Sequence, residues 1–179
     1  MLLWLFPGCM SRKHYQQKDY SFYAKDFTLD NSALLQTDGV YISEQTDQHR
    51  EVQKDKKLYK FYPGGQVNMI INDQNELNTT ADYSNAFNRS NDRTLLAKRG
   101  TLFEGYYRMA GDRIVLQLMN QPLRQFYYVY AFLKDNQMVV VRSTHEGKGK
   151  MEDQYFNSAY QEVYHFEKAS GAVFTSPNW

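Results

Sequence analysis

Four histidines, one cysteine and a Gly-Lys stretch are the residues of this 179-residue chain whose types invite a search for chemistry. His14 and His49 sit in polar segments, His145-Glu146 in a stretch read as loop, and His165 alternates with Tyr164 and Phe166 on a strand-like run. A zinc-holding helix sets two histidines about four residues apart with an acid beside them, and that spacing is absent, as is any set of cysteines. Glu146-Gly147-Lys148-Gly149-Lys150 lacks the spacing of a phosphate-cradling loop, and no helical pattern follows it; it reads as a flexible basic loop. There is no Gly-x-Ser-x-Gly turn, and Glu104 and Asp112 share a hairpin without forming a convincing acid pair. The expectation is a protein that is not an enzyme, with no metal and no cofactor.

The lone cysteine offers a different chemistry. Cys9 follows an apolar run, Met1 to Phe6, far shorter than the roughly 20 residues that span a bilayer as a helix, and no Lys or Arg precedes it. Phe6-Pro7-Gly8-Cys9 resembles the bacterial lipobox, in which a bulky apolar residue, a variable small one and Gly, Ala or Ser precede an invariant Cys. Pro7 departs from the pattern. The resemblance implies a thiol that takes a diacylglycerol, cleavage before Cys9 and acylation of the new amino end. Several acyl chains on one residue anchor stably, since each buried CH₂ contributes roughly 0.8 kcal/mol. Residues 1–9 are accordingly expected to be the tail of an export signal, 10–37 a tether and N-terminal segment, and 38–179 the folded domain. The competing expectation is an apolar stub packed on the domain with Cys9 as a small buried residue.

Composition places the domain among globular chains, with 42% hydrophobic and 23% charged residues, and 15 Tyr and 11 Phe favour half-buried pleated surfaces. A net charge of +1 gives no electrostatic ground for a nucleic-acid partner. Lys54, Lys56, Lys57 and Lys60 read as a solvated loop leading into a strand. Pro63-Gly64-Gly65 between two strand-like runs, 58–62 and 66–72, marks a hairpin. Further strands are expected at 40–42, 101–109, 113–119, 125–133, 138–143 and 160–167, with Val173-Phe174 as a further short edge. Asp30-Asn31-Ser32 would cap a short helix carrying Leu34 and Leu35. The Asn-, Asp- and Ser-rich stretch 73–93 reads as a long loop insert with one helical turn near Tyr83–Phe87. Eight strands joined in order by tight turns predict an all-β, up-and-down antiparallel barrel.

Alternation assigns faces. Ile114, Leu116 and Leu118 share one, and so do Phe103, Gly105, Tyr107 and Met109. The run 125–133 is apolar on both faces, so its outer side is either covered, for example by the N-terminal segment, or left as an exposed aromatic surface. Tyr107, Leu116, Leu118, Phe126, Tyr128, Tyr130 and Phe132 are the interior candidates, lining a core or a ligand pocket.

Gly39, Tyr41, Phe61, Gly64, Gly65, Val67, Gly105, Tyr107, Gly111, Asp112 and Ile114 occupy places that resemble the lipocalin-like, calycin-type barrels of bacterial lipoproteins. The likeness spans roughly 38–168 and carries over no binding residue. It implies a barrel with a cavity or a filled core and, for such barrels, a small apolar or amphipathic ligand. The leading expectation is ligand binding or carriage at the cell envelope, with membrane attachment through Cys9. A filled-barrel module that meets another protein is the alternative, with an enzyme of unknown type after it.

Overall fold

Side chains at alternate positions along a strand point to opposite faces, and here one set turns inward around a closed ring. The computed structural model describes residues 16–30, 33–44, 55–72, 76–91, 101–120, 123 and 125–177. Cys9 and the lipobox-like run lie outside them, as do His14 and His49. The strands are β1 (Gly39–Ser43), β2 (Lys56–Phe61), β3 (Gln66–Asn72), β4 (Thr101–Ala110), β5 (Arg113–Asn120), β6 (Gln125–Lys134), β7 (Gln137–Thr144) and β8 (Glu162–Lys168). Each pairs antiparallel with the next, and β8 pairs with β1, from Gly39 opposite Lys168 to Ser43 opposite Tyr164. The fold is an eight-stranded up-and-down barrel in which every strand pairs with a neighbour on each side.

The two ends differ. At one, the strands return through tight turns. Asp135 and Asn136 both take positive φ, 49° and 62°, as a two-residue primed turn requires. Gly65, at φ 87°, lies under Phe27, whose ring would stand 2.9 Å from an added Cβ. Phe27, Leu29 and Leu35 pack across this closed end against the interior. Leu34 and Leu35 are not helical; Leu35 instead plugs the barrel, and the next residue, Gln36, donates its backbone N–H to the Tyr41 hydroxyl at 3.0 Å. Above the plug, Tyr41, Phe61 and Tyr107 meet edge to face, and the Tyr107 hydroxyl donates to the Tyr62 carbonyl at 2.9 Å. The opposite end carries the long connections.

The pairing of β6 with β5 corrects the face assigned to β6. Leu118, Leu116 and Ile114 point inward and stand opposite Tyr127, Val129 and Ala131. Phe126, Tyr128, Tyr130 and Phe132 therefore point out of the barrel, although Tyr107, Leu116 and Leu118 stand inside as expected. The outward aromatic face is covered by the chain itself. Tyr20, Phe22 and Tyr23 lie on it from one side, and Met151, Tyr155 and Phe156, the last two in the short helix α2 (Asp153–Phe156), from the other. Buried Gln117 on β5 ties the first segment down: its Oε1 accepts from the Phe22 N–H at 3.0 Å and the Ser21 hydroxyl at 3.3 Å. The Arg108 guanidinium lies 4.5 Å from the Phe22 ring, and Arg113 sits 4.7 Å from Phe156 while pairing with Asp153 at 2.7 Å.

The Gly-Lys stretch is not a free loop. Gly147, Lys148 and Gly149 form a helical turn with positive φ throughout, and Gly149 is pressed between Phe22 and Tyr128.

The stretch expected as a loop insert contains a 12-residue helix, α1 (Thr80–Asn91). Thr79 and Asp82 cap it reciprocally, the Thr79 N–H donating to the Asp82 carboxylate at 2.9 Å and the Asp82 N–H to the Thr79 hydroxyl at 3.2 Å. Tyr83 and Phe87, one turn apart, bury against Val40, Leu58 and Ile70 on the outer face of β1–β3. Val173 and Phe174 form no edge strand. They belong to a C-terminal strap held by Asn88, which donates to the Val173 carbonyl and accepts from the Thr175 N–H, both at 2.8 Å.

That strap covers Lys60. Far from being solvated, Lys60 is 2% exposed, with its ammonium donating to the Thr37 and Gly39 carbonyls and lying 4.2 Å from the centre of the Phe174 ring. Burial pushes this amine down to about 8, against the opposing pull of the Asp38 carboxylate. Between pH 8 and the ordinary lysine value of 10.5 the folded chain has released a proton that the unfolded chain still holds, so stability rises with pH there. Burial raises Tyr59, Tyr107, Tyr127 and Tyr164, which acts oppositely once pH passes 10. Urea unfolding monitored from pH 7 to 9, before the tyrosines of the unfolded chain ionise appreciably, is expected to show a gain of about 1 kcal/mol, absent in Lys60→Met. Separately, Gly149→Ala would set a Cβ 2.2 Å from the Phe22 ring at φ 73°. The same assay is expected to show a loss of about 2 kcal/mol or more.

Candidate functional site

The filled half of the barrel ends below a cavity of about 390 Å³ at the open end, walled by the inner faces of β2, β3, β6, β7 and β8. Period-two alternation puts Lys57 on the same face of β2 as Tyr59, and Glu162 on the same face of β8 as Tyr164. Met69, Val129 and Val140 supply an apolar floor, and Tyr59, Tyr127, Ser143 and Tyr160 bring hydroxyls. An irregularity in the β6–β7 ladder shapes one wall. Ala131 pairs with Val140 and Tyr130 with Arg142, which leaves Val141 as an extra residue turned to the outer cluster and returns Ser143 to the inside. Such a bulge bends its strand and re-aims the side chains beyond it.

The polar side of the cavity is a connected network. Lys57 Nζ meets both carboxylate oxygens of Glu162, at 2.9 and 3.1 Å, and the Tyr160 hydroxyl donates to Oε2 at 3.1 Å. The Tyr164 hydroxyl also engages Glu162 and links on to Tyr59, whose ring meets that of Tyr164 edge to face at 5.0 Å. Desolvation holds the Tyr59, Tyr127 and Tyr164 hydroxyls well above the ordinary phenol value, so they stay protonated donors even in alkaline solution.

A second hollow of about 250 Å³ adjoins the first, sharing Tyr127 and Ser143 and reaching Phe103, Asn120 and His145. Tyr127 stands between the two, edge to face with Phe103 at 5.8 Å and with the His145 ring at 6.3 Å. His145 is held through Nδ1 at 2.9 Å from the Phe126 carbonyl. His165 points outward, paired with the Glu44 carboxylate and within 3.3 Å of the Gln137 amide. Glu104 is buried part-way along β4, whereas Asp112 sits in the closed-end turn, so the two form no acid pair. Among the described residues no three His, Cys, Asp or Glu side chains gather as metal ligands.

None of the seven interior candidates lines either hollow. Tyr107, Leu116 and Leu118 belong to the packed interior, and the four β6 aromatics to the outer layer. Sequence reasoning missed every lining residue, among them Lys57, Tyr59, Tyr127, Val129 and Glu162. Their signal was the other face of β6 and the charged residues that open β2 and β8. The arrangement can hold an apolar body on the floor and a polar group against the network. No family model, curated protein or solved structure matches this chain.

Because the ion pair is partly solvated, Glu162→Gln and Lys57→Met are each expected to cost about 1 kcal/mol in urea unfolding, with the double variant costing less than the sum.

Proposed function

We propose that this chain is a bacterial envelope lipoprotein whose barrel binds a small amphipathic molecule at its open end. The observation that carries the reading is the 390 Å³ cavity, which combines the Met69, Val129 and Val140 floor with the Lys57–Glu162–Tyr160 wall. Its size falls within the roughly 300–1,000 Å³ of small-molecule sites, and a mostly apolar lining with a few placed polar groups is their usual make-up. The apolar part of the ligand rests on the floor, and its head hydrogen-bonds to Lys57, Tyr160 or Ser143. Attachment to the membrane is through acylation of Cys9. The alternative, a module that meets another protein through an open aromatic strand, loses its support, since Tyr20, Phe22 and Phe156 already cover that face.

Native mass spectrometry of the full chain, gently extracted from a bacterial envelope, is expected to show an added small-molecule mass that is lost on denaturation. The denatured chain keeps the mass of the acyl groups on Cys9. Val129→Trp, which fills the floor, and Lys57→Met, which removes part of the wall, are expected to lower the bound fraction severalfold while the unfolding midpoint confirms a folded barrel. A bare mass in the native spectrum, unchanged after incubation with a lipid extract, refutes the ligand. A Cys9 peptide without acyl groups refutes the anchor.

A further inference from the structure

We propose that the open rim of the barrel is the face turned to the bilayer, so that the cavity mouth opens onto lipid; this rests on the anchoring reading above. The course of the N-terminal segment supports it first. Tyr20 lies against Phe126, at the start of β6 on the rim side, and Phe27 lies against Gly65 and Tyr107 at the closed end. The segment therefore comes onto the barrel from the rim and runs towards the plug. From Cys9 to Gln16 the chain reaches at most about 25 Å when fully extended, so an anchor at Cys9 keeps this rim close to the membrane surface.

Two exposed side chains of the rim support the same orientation. Leu123, between β5 and β6, is 60% exposed, and Tyr160, ahead of β8 and lining the cavity, is 54% exposed. They stand on rim connections to either side of the mouth, where an aromatic with a polar tip and an aliphatic side chain suit an interface of headgroups and acyl chains. Charge is exposed at both ends, on Lys134, Asp135, Asp38 and Lys168 at the closed end and on Glu44, Asp55, Glu76 and Glu146 in the rim connections. Leu34 is exposed as well, ahead of the closed-end plug residue Leu35. A bilayer is the occupant that an anchored segment entering from this side brings to the rim.

The test uses the full chain, whose sole cysteine can be coupled to maleimide-headgroup lipid in phosphatidylethanolamine–phosphatidylglycerol vesicles. Hydrogen exchange is compared with that of the same chain capped at Cys9 with N-ethylmaleimide and kept free of vesicles. Peptides over 120–126 and 157–161 are expected to exchange severalfold more slowly on vesicles, with the turns at 111–112 and 135–136 unchanged. Leu123→Glu is expected to restore free-chain exchange over 120–126 with no change in unfolding midpoint. Slowing at the closed-end turns, no slowing at the rim, or rim slowing that appears equally in the capped chain as its concentration rises overturns the proposal, the last pointing to a second copy. Coupling supplies the anchor chemically, so a natural Cys9 found without acyl groups refutes the anchoring reading in its own assay and does not enter this one.

Discussion

A strand that is apolar on both faces has no stable place at a simple protein–water boundary, and β6 is such a strand. Closing the barrel buries Tyr127, Val129, Ala131 and Leu133 and leaves Phe126, Tyr128, Tyr130 and Phe132 on the outside. Water must be excluded from that second face as well, and the rest of the architecture answers that need. The N-terminal segment is laid along it and fixed through Gln117, α2 is drawn over its far edge by Arg113, and Gly149 carries no side chain so that Phe22 can reach Tyr128. The same solution recurs on β1–β3, where α1 and Phe174 cover Val40, Leu58 and Ile70. The chain is thus a barrel inside a partial sleeve made from its own termini and insert.

The barrel itself was legible from residue order, because turn chemistry and period two are local. Pro63-Gly64-Gly65, Gly111-Asp112 and Asp135-Asn136 each mark a hairpin without reference to anything distant, and the strand bounds shift by only a residue or two. The face of β6 that turns inward could not be read in the same way. Both faces are apolar, and the choice is made by pairing with Leu116 and Leu118 across the ladder. Helix α1 was hidden for a related reason. Its stretch is almost wholly polar, and the two rings that secure it, Tyr83 and Phe87, find their partners on strands far away in the chain. Lys60 was misread because a lysine at a strand position looks solvated until the strap that covers it is in place.

The cavity was out of reach for the same reason as the face of β6. Once Tyr127 and Val129 are known to point inward, Lys57 and Glu162 can be placed by alternation on β2 and β8, whereas nothing in the local pattern marks the bulge after Val140. The two ends of the barrel also divide the work. Short turns and a packed plug fix the strands at one end, and the hollow lies towards the other, where Ser158 and Tyr160 ahead of β8 help to line it.

The segment that seals the outer face of β6 is also the stretch that joins the barrel to whatever lies ahead of residue 16. Mechanical pull on the N-terminus is therefore not delivered to the ladder of strands. It meets Tyr20 and Phe22 first, together with their bonds to Gln117 and the Arg108 contact. A pull directed away from the barrel wall loads these contacts one after another, so they peel in turn, each at the modest force of a ring contact or a single hydrogen bond. The cover comes away as a fuse and lengthens the tether, while the closed ring of strands beneath stays paired.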